Sequence, residues 1–136
     1  MALVPGDRVE DVWPWVLPLL DKAIARGLGE YGPPDVAQNL SDGVWQLWIV
    51  TEPGRLVAFA VTSISYYPRK RHLFITYAGG RLRYVQELWP FIRQYAVEKQ
   101  CDLVRFSGRP GWVRSGVLPK GSRYVFDDVA VPLGES

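Results

Sequence analysis

Three β-rich segments follow one another with only tight turns between them, and then the spacing of apolar residues changes. "VWQLWIVTE" (44–52), "RLVAFAVTSISYYP" (55–68) and "HLFITYA" (72–78) are dense in β-branched and aromatic residues, which suit a pleated, half-buried surface. Pro53-Gly54 joins the first two as a hairpin signal. From Leu82 the pattern becomes helical, with Leu82, Val85, Leu88, Trp89, Ile92 and Ala96 on one face. "CDLVRFSG" (101–108) then returns to strand. Strands arriving in consecutive hairpins argue against a doubly wound sheet, in which strands alternate with helices. The unit from Leu73 to Phe106 predicts a right-handed parallel crossover beside antiparallel hairpins, so the sheet is mixed.

The remaining segments fill in around that frame. "MALVPG" reads as a short first strand. "DRVEDVWPWVLPLLDKAIARGLGEYG" (7–32) carries Val12, Val16, Leu19, Leu20, Ala23 and Ile24 at helical spacing. Pro14 fits a first helical turn, while Pro18 predicts a kink or a later start. "PPDVAQNLSDG" predicts a short second helix, with Asp35 as its N-cap and Gly43 as its stop. Pro90 predicts a kink in the helix after Leu82. "RPGWVRSGVLP" (109–119) reads as a short helix or turn, and "SRYVFDDVAVPL" (122–133) as a final strand.

Composition narrows the chemistry. The chain has 136 residues, 48% hydrophobic and 22% charged, with six Trp and seven Tyr. That many large rings point to a thick core or an adhesive surface. A net charge of +2 does not argue for nucleic acid, and the cluster "PRKRH" (68–72) is accounted for by a solvated turn. Cys101 is the only cysteine and His72 the only histidine, which excludes an internal disulfide and His- or Cys-rich metal sites. No apolar run reaches the roughly 18 residues a bilayer needs. The N-terminal stretch has no basic segment followed by an apolar one, so no secretory signal is expected.

At the strand-to-helix junction stands "AGGRLR", Ala78 to Arg83. Two readings of it stay open. The bare N–H groups of a helix N-terminus make an anion site; a glycine pair also lets a chain turn a corner.

The element order β-α-α-β-β-β-α-β-(α)-β resembles the GNAT superfamily of N-acetyltransferases. "RLVAFAVTSI", "ITYAGGRLRYVQELWPFI", "CDLVRFSGRPGW" and "LPKGSRYVFDDV" also look like short GNAT-like proteins of tailed phages and prophages. The resemblance implies an α/β (α+β) fold with 1–136 as a single domain. It implies a mixed sheet of about six strands, a central parallel β-α-β crossover and three or four helices.

It also implies acetyl-CoA as cofactor. In that family the helix after the fourth strand receives the pyrophosphate, following a loop of the form Arg/Gln-x-x-Gly-x-Gly/Ala. Gly79, Gly80 and Arg81 fall there, with Arg83 able to add charge, although the loop is several residues shorter than the family form. The backbone of Thr76, Tyr77 and Ala78 would hold the thioester in an oxyanion-type contact. The family's leaving-group tyrosine lies four residues before a Gly-aromatic pair; with Gly121 as that glycine the slot falls on Val117, which cannot donate a proton. Tyr124 is nearby, on the final strand. His72 is the side chain that titrates near neutrality. The catalytic candidates are therefore His72 and Tyr124. Glu52 reads as a solvated hairpin tip, Glu87 as a solvent-face charge and Cys101 as a small buried residue.

These residues describe a degenerate acetyl-CoA site. The expectation is a non-catalytic phage or prophage particle or assembly component that binds other proteins, such as phage structural proteins. The alternative is an acetyl-CoA-dependent N-acetyltransferase acting on an amine of a protein or small molecule. Neither membrane nor nucleic acid is expected as a partner. The expected location is the host cytoplasm or a phage particle.

Overall fold

A computed structural model describes residues 2–27, 29–106, 121–123 and 131–134. The chain divides after Phe106, and the body described below is residues 2–106. Five strands form one sheet in the order β1-β2-β3-β4-β5. They are β1 (Ala2–Val4), β2 (Gln46–Glu52), β3 (Arg55–Tyr66), β4 (Arg71–Gly80) and β5 (Leu103–Phe106). The segment 44–80 is an antiparallel meander as expected, and β1 pairs antiparallel with β2. β4 and β5 are parallel, from His72↔Leu103 to Ile75↔Phe106. The expected short helix at 109–119 lies outside the described residues, as does most of the sixth strand at 122–133. Among the described residues no helix is long and apolar enough to cross a membrane.

Alternation along β3 divides the core in two. Phe59 and Val61 point to the face covered by α1 (Val9–Ile24) and α2 (Pro33–Ser41), where Val16, Leu20, Val36 and Leu40 meet them. Ala58 and Ala60 point to the other face, against Leu88, Ile92 and Ala96. Large side chains thus lie on one side of the central strand and methyl groups on the other. The second side also holds a buried polar chain, in which Trp48 Nε1 donates to Thr62 Oγ1 at 3.0 Å and Thr62 Oγ1 donates to Gln46 Oε1 at 2.8 Å. Each polar atom there is paired, as burial requires.

Three local expectations are corrected. Pro18 neither kinks nor delays α1, which runs unbroken through Pro14 and Pro18. Both prolines are exposed and four residues apart, so the carbonyls they leave without an N–H partner, at Glu10 and Pro14, lie on the solvent side where water can serve them. Asp35 is not the N-cap of α2. Gly32 is, and the Asp35 carboxylate accepts from the Gly32 N–H at 2.9 Å from the third helical position. The helix after Leu82 is not one kinked rod but two: α3 (Leu82–Glu87) and α4 (Trp89–Glu98). Pro90 has no N–H for the Gln86 carbonyl, so the ladder breaks at Leu88, which closes one helix and caps the next. Gly43, with φ +76°, follows α2 as the expected stop.

At the lower end of the crossover, the Asp102 carboxylate accepts from the Arg71 N–H at 2.8 Å, and the Asp102 N–H donates to the Arg71 carbonyl at 2.7 Å. The Arg71 guanidinium donates to the Lys99 carbonyl at 2.6 Å.

The helix faces agree with the sequence pattern. Leu88 and Ile92 are buried, and Glu87, Gln94 and Glu98 are exposed. Leu88→Ala is expected to lower the unfolding free energy by about 2–5 kcal/mol in a urea titration. Glu87→Ala should change it by less than about 0.5 kcal/mol.

Candidate functional site

β4 carries the residues that matter most, and it is irregular. Its pairing with β3 shifts register between Val61 and Thr62: Val61 faces Tyr77 while Thr62 faces Ile75, which leaves Thr76 as an extra residue. The bulge reverses side-chain parity. Leu73 and Ile75 lie on the α3–α4 face, and beyond the bulge Ala78 takes that face while Tyr77 packs toward α1. Thr76 Oγ1 lies 3.4 Å from Ser63 Oγ. Registered pairing with β5 ends at Ile75↔Phe106. Thr76 to Gly80 therefore have β3 on one side and no described strand on the other. The structure brings Thr76, Tyr77 and Ala78 together with Gly79, Gly80 and Arg81 at this upper end of the sheet.

The glycine pair is not in a loop. Gly79 and Gly80 are the last paired residues of β4, opposite Phe59 and Ala58, and Arg81 alone separates the strand from α3. A Cβ on Gly79 would stand 2.6 Å from Phe59 Cε1. One on Gly80 would stand 2.4 Å from the Val57 carbonyl oxygen and 2.8 Å from Ala58 Cα. Gly80 also has φ +107°, where other residues are strained. The absence of side chains here serves the close approach of β3. These residues do not fit a pyrophosphate cradle: one residue of loop offers too few converging N–H groups. Nor is Arg83 held open for an anion. Its guanidinium lies 4.6 Å from the Tyr84 ring and donates to Tyr84 Oη at 2.7 Å.

Glu52 stands at the solvent-accessible tip of the β2–β3 hairpin, as expected, but with partners that the sequence did not suggest. It ends β2 beside the Pro53-Gly54 turn, yet its carboxylate accepts a short hydrogen bond from Tyr84 Oη on α3 and another from Arg55 at 3.1 Å. These bonds, the tyrosine's first, hold the Glu52 carboxyl below its ordinary value. No spacing in the sequence ties residues 52 and 84; only the fold does.

On the opposite face, Tyr77 is half-buried near Glu30 and Tyr31. Burial, then the charges of Glu30 and Tyr31, raise its pKa, so the phenol stays protonated. Tyr31 packs edge-on against Trp45, with ring centroids 4.9 Å apart. Glu30 and Tyr31 lie between α1 and α2, where sequence reasoning had no motif to follow.

His72 lies elsewhere. It sits near the start of β4, opposite Leu103 and Ser65, about 25 Å along the strand from Gly80. The structure does not bring it together with Thr76–Gly80. Tyr124 and Val117 lie outside the described residues. Cys101 is half-buried on the α3–α4 face, and burial raises its thiol pKa. Glu87 is exposed. Among the described residues no cluster of His, Cys, Asp and Glu could hold a metal ion.

No protein-family model and no curated protein matches the chain. Solved structures do. An aminoglycoside acetyltransferase from an uncultured soil metagenomic sample, in complex with sisomicin, is 10% identical with TM-score 0.69, covering 96% of this chain and 94% of that one. The ribosomal-protein-alanine N-acetyltransferase of Brucella melitensis biovar Abortus 2308 is 13% identical with TM-score 0.66, over 98% and 97%. An aminoglycoside N-acetyltransferase in complex with CoA is 11% identical with TM-score 0.60, over 90% and 91%. The chain has the GNAT N-acetyltransferase fold.

Two predictions follow from the packing at this end of the sheet. Gly79→Ala should cost about 1–3 kcal/mol by overpacking, and Phe59→Leu should recover part of that cost in the double variant. Gly80→Ala should show no such recovery, because its obstacles are backbone atoms and φ. Urea unfolding of these variants checks both statements, and a Gly80→Ala chain as stable as the parent would remove the packing account. The second prediction concerns pH. A carboxyl with a lowered folded pKa contributes stability above its ordinary value of 4.5, and that contribution is lost as pH falls through the folded value. Tyr84→Phe should therefore lower the melting temperature at pH 7, with the difference from the parent closing as pH drops below 4.5.

Proposed function

We propose that this GNAT-fold chain no longer uses an acyl-CoA site and works by binding other proteins, as a particle or assembly component of a tailed phage. The observation that carries the first part is the packing of Gly79 and Gly80 against Phe59, Val57 and Ala58. It consumes the two residues that a phosphate loop would need. The single-residue connection to α3 points the same way. Exposed rings at Trp15, Tyr66, Tyr67 and Phe91 offer the kind of surface that protein partners cover. The phage setting rests on the likeness of the four sequence stretches to short phage GNAT-like proteins.

A second reading, an acetyl-CoA-dependent N-acetyltransferase, has its own support. The compared structures are acetyltransferases, one of them in complex with CoA. Thr76 to Gly80 extend past the last registered pair with β5, and Tyr77 among them keeps its phenol protonated on the α1 side.

Acetyl-CoA binding separates the two. A ligand present at ten times its Kd stabilises by about 1.4 kcal/mol, which is a rise of roughly 5 °C in Tm for a chain this size. With acetyl-CoA at about 1 mM, the upper end of ordinary KM values, we expect no rise. A rise of that size, lost in Arg81→Glu, would overturn the proposal and establish the transferase reading. Gly80→Asp is unsuitable as the control, since Val57 and Ala58 leave it no space.

A further inference from the structure

One large side chain of α1 stands outside both cores. Trp15, near the middle of the helix, is 57% exposed, and its Nε1 has no hydrogen-bond partner among the described residues. The ring lines an open cavity of about 330 Å³ together with Val12, Ile49 and Leu56. Asp11, Pro14, Pro18 and Lys22 around it are exposed as well. Asp11, Trp15, Pro18 and Lys22 follow the spacing i, i+4, i+7, i+11, which puts all four on one stripe of the helix. That stripe points away from Val16 and Leu20, the residues α1 buries against the sheet. A lone exposed apolar residue needs no explanation, but a tryptophan between two prolines is a patch.

The stripe is its own complement. Asp11 and Lys22 are centred on the point midway between Val16 and Leu17, and Trp15 and Pro18 are centred on that same point. Asp7 and Arg26, exposed just beyond the two ends of α1, share it too. An antiparallel copy of α1 laid across this point sets Asp11 against Lys22 of the second copy and Trp15 against its Pro18, each contact being made twice. A parallel copy would set Asp11 on Asp11 and Lys22 on Lys22. The contact Asp11 already has, to Arg8 at 3.4 Å, joins two highly exposed side chains and holds it only weakly. Hydrogen bonding follows the same symmetry. Pro18 has no N–H for the Pro14 carbonyl, so an acceptor stands open beside the Pro18 ring, where the indole N–H of the second copy arrives.

We propose that the outer face of α1 binds a second copy of this chain, helix against helix and antiparallel, in a two-fold dimer. Trp15 is its anchor, the Asp11–Lys22 pairs set its register, and the Trp15 N–H and Pro14 carbonyl supply each other's missing partner. A helix of 16 residues is about 24 Å long, and a strip of that length buries less than the roughly 1,600 Å² of a standard interface. The dimer is accordingly weak, with a Kd on the order of 10–100 μM. This inference concerns the side of α1 turned away from the sheet and holds whichever way the acetyl-CoA test falls.

The test is sedimentation equilibrium of the full chain between about 5 and 500 μM at low salt. The mass should rise from 15.4 kDa toward twice that value. Trp15→Ala should weaken the association at least tenfold, as loss of a central tryptophan does. Asp11→Lys and Lys22→Asp should each weaken it about fivefold by setting like charges together. The chain carrying both exchanges should recover the parent's affinity, because unlike charges meet again. Positions 11 and 22 are about 16 Å apart along one helix, so such a recovery arises only between chains. Unchanged melting temperatures at about 5 μM, where the chain is monomeric, would show that the variants fold; if Trp15→Ala does not, the charge exchange decides alone. The proposal is overturned by a mass that stays at 15.4 kDa, by a folded Trp15→Ala chain that associates as the parent does, or by a double exchange that recovers nothing.

Discussion

Phe59 decides how this molecule is arranged. Its ring is fully buried on the central strand, and β4 approaches β3 beneath it so closely that position 79 has no room for a methyl group. Leu19 of α1 reaches the same spot from above, 3.6 Å from where that methyl would stand. One aromatic residue thus sets the approach of a helix to the sheet on one side and the composition of the neighbouring strand on the other. The methyl groups of Ala58 and Ala60 then let α3 and α4 come down on the second face, where Leu88 and Ile92 fill the space. Close packing leaves few other solutions once the ring is placed.

That constraint bears directly on the site. In a fold whose enzymes bind CoA where a strand passes into a helix, this chain puts its glycines one step too early, inside the pairing. The upper end is tied further by the Glu52–Tyr84 bond, which links the β2–β3 hairpin to the first turn of α3.

The sequence disclosed the elements better than their joints. Period-two patterning and Pro53-Gly54 located the meander, and the change of spacing at Leu82 located the crossover, because both signals are local. Pro18 misled because a proline's cost depends on which side of the helix its orphan carbonyl faces, and that side is known only after α1 is docked. Pro90 was read in the right place but too mildly, the break at Leu88 being complete. Gly79-Gly80 read as an anion site or a turn because a glycine pair in a strand has no local signature; the close contact that Gly79 makes, Phe59, is twenty residues away in the chain. Glu52 with Tyr84, Tyr77 with Glu30, and Arg105 with the β3–β4 turn are likewise juxtapositions made by tertiary structure alone.

The extra residue at Thr76 has a meaning for anyone reading or rewriting this chain. It divides β4 into two short strands joined end to end, each with the opposite rule for which positions are inside. Leu73 and Ile75 obey one parity and Ala78 the other, so a hydrophobicity pattern carried across the join falls out of phase. Deleting that one residue would set Ile75 and Tyr77 side by side opposite Thr62 and Val61, each keeping the face it already has, and a single parity would then run the length of the strand. The bulge is a punctuation mark, and the pattern is legible only when it is counted.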